Sequence, residues 1–74
     1  MMAPGMRDPW VAGEPIAGVT LAYNSRVRVV SGPHTGEEGW LVALTPGPDP
    51  VYTVELESGE PDLEVPQSML RSAP

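Results

Sequence analysis

Ten prolines are spread through a chain of 74 residues, and they decide most of what it can become. Proline has a fixed φ and no N–H, so it interrupts a helix and sits badly inside a central strand. Here the prolines fall between the apolar runs rather than within them, and no segment keeps an amphipathic helical period for ten residues or more. Short strands are what remain. Val19, Leu21 and Tyr23 alternate with Thr20 and Ala22. RVRVV (26–30) alternates too, WLVAL (40–44) is a compact apolar run, and VYTVELE (51–57) puts Tyr52, Val54 and Leu56 on one face. Leu63 and Val65 alternate with Asp62 and Glu64. The loops between them are SGPHTGEEG, TPGPDP and Ser58-Gly59-Glu60, all rich in turn residues. VPQSMLR (65–71) reads as a single helical turn and a closing stub that returns Met69 and Leu70 to the core. Four or five strands this short and this closely spaced predict a small barrel or strongly bent sheet.

The expected division is a flexible N-terminal arm at 1–17 and a β-barrel at 18–74. The arm, MMAPGMRDPWVAGEPIA, has no apolar period, and its sticky groups are Trp10 and Ile16. Docking of Trp10 on the body is the expected outcome, because a free tail rarely exposes a tryptophan. The predicted core is Val27, Val29, Trp40, Val42, Leu44, Tyr52, Val54, Leu56, Leu63, Val65 and Leu70. With no Phe in the chain, Trp40 and Tyr52 are expected to supply its aromatic bulk. The N-terminus lacks the basic start and apolar stretch of a secretion signal, and no apolar run approaches the ~20 residues of a membrane span. A soluble cytoplasmic protein is expected.

Charge is the second constraint. Ten acids face four arginines and no lysine, a net charge of −6. Eight of those acids lie from Glu37 to Glu64, where no basic residue occurs. Such a surface repels phosphate backbones and favours basic partners; it also serves simply to keep a small protein in solution.

Arg26-Val27-Arg28-Val29-Val30, Ser31-Gly32, His34-Thr35-Gly36 and Gly39 before an apolar strand together resemble a KOW motif, the SH3-like element of transcription elongation factors and ribosomal proteins. The resemblance implies an SH3-like barrel and a loop with basic residues around its glycine. In this chain Gly36 is flanked by Thr35 and by Glu37-Glu38. Carboxylates cannot contact phosphate as lysines do, so the scaffold pattern is present with the wrong charge for nucleic acid.

The order GEEGWLVAL, a Pro- and Asp-rich turn, VYTVEL, an acidic turn and LEVPQSMLRSAP is similar to the CarS antirepressor family. These are small acidic SH3-like proteins that bind the DNA-recognition region of a repressor, with acidic side chains in place of DNA phosphates. The resemblance implies a working face of Glu37, Glu38, Glu55, Glu57, Asp62 and Glu64. Strand geometry makes such a face: residues two apart project the same way, so Glu55 with Glu57, and Asp62 with Glu64, would share one side of a hairpin. The same residues also suit the wet side of any sheet.

Catalysis and metal binding find no pattern. His34 is the single histidine, in a loop and without a nucleophile pattern, and there is no cysteine, so zinc lacks ligands. Calcium-loop, phosphate-loop and dinucleotide motifs are missing, and no cofactor is expected. Arg26 and Arg28 are expected to pair across strands with Glu37, Glu38 or Glu55. Three function classes follow. The first is a non-catalytic module binding a basic protein, in its sharpest form an antirepressor acting as a DNA mimic. The second is a KOW-type module touching nucleic acid, a ribosome or RNA polymerase. The third is an immunity or inhibitor protein for a basic enzyme.

Overall fold

The computed structural model describes residues 7–74. After a one-turn helix α1 (Arg7–Val11) come strands β1 (Arg26–Val29), β2 (Glu38–Thr45), β3 (Val51–Leu56) and β4 (Leu63–Pro66). A 3-10 turn (Gln67–Met69) then leads straight into β5 (Leu70–Ser72). All neighbours are antiparallel, in the order β4-β3-β2-β1-β5. The meander β1 to β4 is thus completed by β5 returning to the free side of β1, and the chain is a small all-β fold built on one five-stranded antiparallel sheet with β4 and β5 as its edges. Among the described residues no helix is long and apolar enough to cross a membrane.

The predicted strands at 26–30, 40–44, 51–57 and 62–65 are present with small shifts, but 19–23 forms none; the fifth strand is β5. The backbone of 18–21 is engaged by side chains instead of a ladder. Trp10 Nε1 donates to the Leu21 carbonyl oxygen at 2.8 Å. Gln67 accepts from the Thr20 N–H and donates to the Gly18 carbonyl oxygen, each at 3.0 Å. Tyr52 donates its hydroxyl hydrogen to the same Gln67 Oε1. One amide therefore ties the segment before β1 to the 3-10 turn and to the core. Asp49 holds that turn from outside, accepting from the Ser68 N–H at 3.1 Å and from its hydroxyl at 2.7 Å.

Of the predicted arm, residues 1–6 lie outside the described residues. Trp10 on α1 is 3 % exposed and belongs to the core, packed edge-on to Tyr23 and tilted against Tyr52. The expected docking of Trp10 is what the structure has.

Around Trp10 the core contains Val27, Val29, Leu41, Leu44, Tyr52, Val54, Leu56, Val65 and Leu70. Three predicted members are only half-buried: Trp40, Val42 and Leu63. The reason for the first two is a β-bulge. Leu41 pairs with Val54 and Ala43 with Thr53, which leaves Val42 as an extra residue in β2. A bulge reverses the alternation on either side of itself. Gly39 and Leu41 therefore face inward before it and Leu44 after it, while Trp40 is turned to the outer face. Gly39 is where β3 passes closest to β2, since a Cβ there would overlap the Glu55 carbonyl group.

Candidate functional site

The outer face of the sheet carries the charge. Directly opposed residues of antiparallel strands share a face, so the register arranges this surface in rows. One row runs Arg71, Arg28, Glu38 from β5 to β2. The next runs Arg26, Trp40, Glu55 from β1 to β3, and a third runs Ala43, Thr53, Glu64 from β2 to β4. Glu57, just past β3, donates its N–H to the Glu38 carbonyl oxygen at 2.9 Å and extends the first row.

The first two rows hold an ion-pair ladder. Arg26 Nη2 lies 2.6 Å from Glu38 Oε1, and Arg26 Nη1 lies 2.5 Å from Glu57 Oε1. Arg28 Nη2 and Nε both reach Glu38 Oε2, at 2.5 and 2.7 Å. Hydrogen bonds from Arg28 and then Arg26 hold the Glu38 carboxyl below its ordinary value. The expected cross-strand pairing is thus made, to Glu38 and Glu57 rather than to Glu37 or Glu55. The Arg26 guanidinium also stands over the Trp40 ring, 5.6 Å from its centroid.

The six acidic residues singled out in the sequence separate into two groups. Glu37, Glu38 and Glu57 surround a shallow hollow with Gly36 and Ser58, and in it Glu38 and Glu57 are neutralised by arginine. Glu37 belongs to the β1–β2 loop, its carbonyl oxygen accepting from the Val29 N–H at 2.9 Å. Glu55 and Glu64 are exposed on β3 and β4, and Asp62 is exposed in the turn before β4. None of these three is in an ion pair among the described residues. The like-charge crowding that a Glu55–Glu64 pairing would create does not occur, because Glu64 faces Thr53 and Glu55 faces Trp40. Charge on this face is graded: Arg71 and Arg28 at the β5 side, the ladder in the middle, free carboxylates at the β3–β4 side.

Trp40 is the residue that the sequence reading put elsewhere. Only the phase of β2 distinguishes an inward from an outward Trp40, and the sign of that phase is Gly39, a residue without a side chain on the inward side beside Leu41. His34 is exposed in its loop, at the mouth of a groove with Glu64, Pro33 and Met69. Among the described residues no group of three His, Asp or Glu side chains is placed to hold a metal ion.

No protein-family model matches this chain, and no curated protein sequence matches it.

Proposed function

We propose that this chain is a cytoplasmic, non-catalytic module that binds a protein with a basic surface. In its sharpest form it is a transcriptional regulator, an antirepressor that covers the DNA-recognition surface of a repressor with carboxylates standing where DNA phosphates would stand. The observation that carries this reading is the unneutralised carboxylate edge of Glu55, Asp62 and Glu64 beside the sheet's own ion-pair ladder. Complementary charge accelerates encounter and rejects wrong partners, and with Arg26 and Arg28 already paired the β3–β4 side of the face has only negative charge to offer. An inhibitor or immunity protein for a basic enzyme would use the same edge, and the partner's identity separates the two.

The KOW-type alternative has one feature in its favour, the hollow lined by Arg28 and Arg71 at the β5 side, where a phosphate has cations to meet. The test is retention of proteins from lysate of the native host at low salt, with and without nuclease treatment, by the wild type and by a Glu55→Lys/Glu64→Lys variant. A basic DNA-binding protein or enzyme held by the wild type and lost by the variant supports the proposal. Ribosomal or polymerase subunits held equally by both, or retention that disappears on nuclease treatment, transfers the function to the KOW-type reading.

A further inference from the structure

Arg26 is gripped in a particular way. Its guanidinium has the Trp40 indole against it at 5.6 Å, and its nitrogens are taken by Glu38 and Glu57 at 2.6 and 2.5 Å. An aromatic ring and carboxylates around one guanidinium form a cation–π and charge-assisted cradle. Trp40 has a second flank. There its cross-strand partner is Glu55, exposed and in no ion pair among the described residues. That side has the same parts, an indole and a carboxylate, but no cation. The arginines of the sheet are engaged elsewhere: Arg26 is paired with Glu38 and Glu57, Arg28 is paired with Glu38, and Arg71 lies beyond β1 on β5.

We propose that Trp40 is the anchor of the interface, and that the protein partner seats an arginine side chain between the Trp40 indole and the Glu55 carboxylate. This deepens the protein-binding reading above and rests on it. Arginine rather than lysine is specified by the parts. A planar guanidinium stacks on an indole while its N–H groups still meet a carboxylate, and it is more weakly hydrated than an ammonium group. Half-buried tryptophans surrounded by polar groups are also where binding energy concentrates in interfaces. Glu64, across Thr53 in the next row, lies on the same side to meet a neighbouring basic group of the partner.

The experiment uses the full chain labelled with 5-fluorotryptophan, which gives one fluorine resonance for Trp10 and one for Trp40, assigned with Trp40→Phe. Protamine is the arginine-rich probe and polylysine of matched charge the lysine-rich one, both titrated at low ionic strength. Protamine is expected to move the Trp40 resonance and leave that of the core residue Trp10 in place. It should bind about fivefold more tightly than polylysine, the scale of one exposed cation–π contact. Glu55→Gln, which leaves the indole in place, should reduce that preference, and Trp40→Leu should abolish it, with folding of each variant checked by circular dichroism. Equal binding of both polymers with an unmoved Trp40 resonance overturns the arginine seat and leaves the acidic-face reading standing. Binding of neither polymer overturns the acidic-face reading, and the seat with it.

Discussion

Trp10 on α1 and Leu21 before β1 are joined by an indole N–H to carbonyl hydrogen bond of 2.8 Å, so the segment ahead of the barrel contributes a core side chain and satisfies its polar atom at once. A small domain has little apolar surface to spare. Trp10→Ala should therefore cost about 3–5 kcal/mol, the usual result of removing a buried aromatic. Urea unfolding measures it; a loss under about 1 kcal/mol would mean that Trp10 is not part of the cooperative core.

Gln67 gives a second test of the same junction. Gln67→Ala removes the partner of the Thr20 N–H, the Gly18 carbonyl and the Tyr52 hydroxyl together. The expected cost is about 1–3 kcal/mol, because the buried phenol loses its acceptor. Amide exchange at Thr20 should accelerate far more than exchange in β2. Uniform acceleration across the sheet would place the effect in global stability rather than at this clamp.

Gly39 and Gly47 should respond unequally to alanine. A Cβ at Gly39 meets the β3 backbone at Glu55 and Leu56, whereas one at Gly47 meets nothing within 4 Å. Backbone cannot swing away as a side-chain tip can, so Gly39→Ala should cost about 1–3 kcal/mol or more, and Gly47→Ala should stay within about 0.5 kcal/mol. Chemical denaturation of the two variants side by side decides it.

These positions also mark what could be read from the chain. Prolines and alternation were sufficient for an all-β body, for the strands around Val27, Tyr52 and Val65, and for the closing turn before Leu70. They misplaced Trp40 and Val42, because a single extra residue inside a ladder leaves no mark in a run as uniformly apolar as WLVAL. They also suggested a strand at 19–23, because alternation cannot reveal that Trp10 and Gln67, distant in sequence, take its backbone groups. Among the candidate site residues, the exposure of Glu55, Asp62 and Glu64 followed from strand alternation. The neutralisation of Glu38 and Glu57 depended on register, which fixes who faces whom only after the bulge is known.

Stability should decline at both ends of the pH scale, for different groups. Glu38 is held below its ordinary value of 4.5 by Arg28 and Arg26, so its contribution is complete above that pH and is lost as pH falls through the lower, folded-state value. Tyr52 is shifted the other way: burial pushes its phenol above 10.0. Its contribution is complete below that pH and is lost as pH rises through the raised value. Urea midpoints across this range should show both limbs. Glu38→Gln should flatten the acid limb and Tyr52→Phe the alkaline one; an unchanged acid limb in Glu38→Gln would assign it to other carboxylates.

The two groups of acidic residues should separate by function. Glu38 and Glu57 are occupied by Arg26 and Arg28 within the sheet, so neutralising them changes the net charge by the same two units as neutralising Glu55 and Glu64, but in the ion-pair ladder, away from the β3–β4 edge, and at the cost of the ion pairs. Glu55 and Glu64 are exposed on the far strands and hold no arginine, so their neutralisation subtracts directly from the field seen by a partner. Glu55→Gln/Glu64→Gln should slow association with a basic partner roughly tenfold at low ionic strength and leave the urea midpoint near that of the wild type. The difference should fade as added salt shortens the screening length, to about 3 Å at 1 M. Glu38→Gln/Glu57→Gln should lower the urea midpoint and slow association less, because the charge it changes lies away from the β3–β4 edge. Stopped-flow association against protamine across a salt series, with unfolding measured on the same samples, distinguishes them. Equal slowing by both double variants would mean that the partner reads only net charge and not the β3–β4 edge.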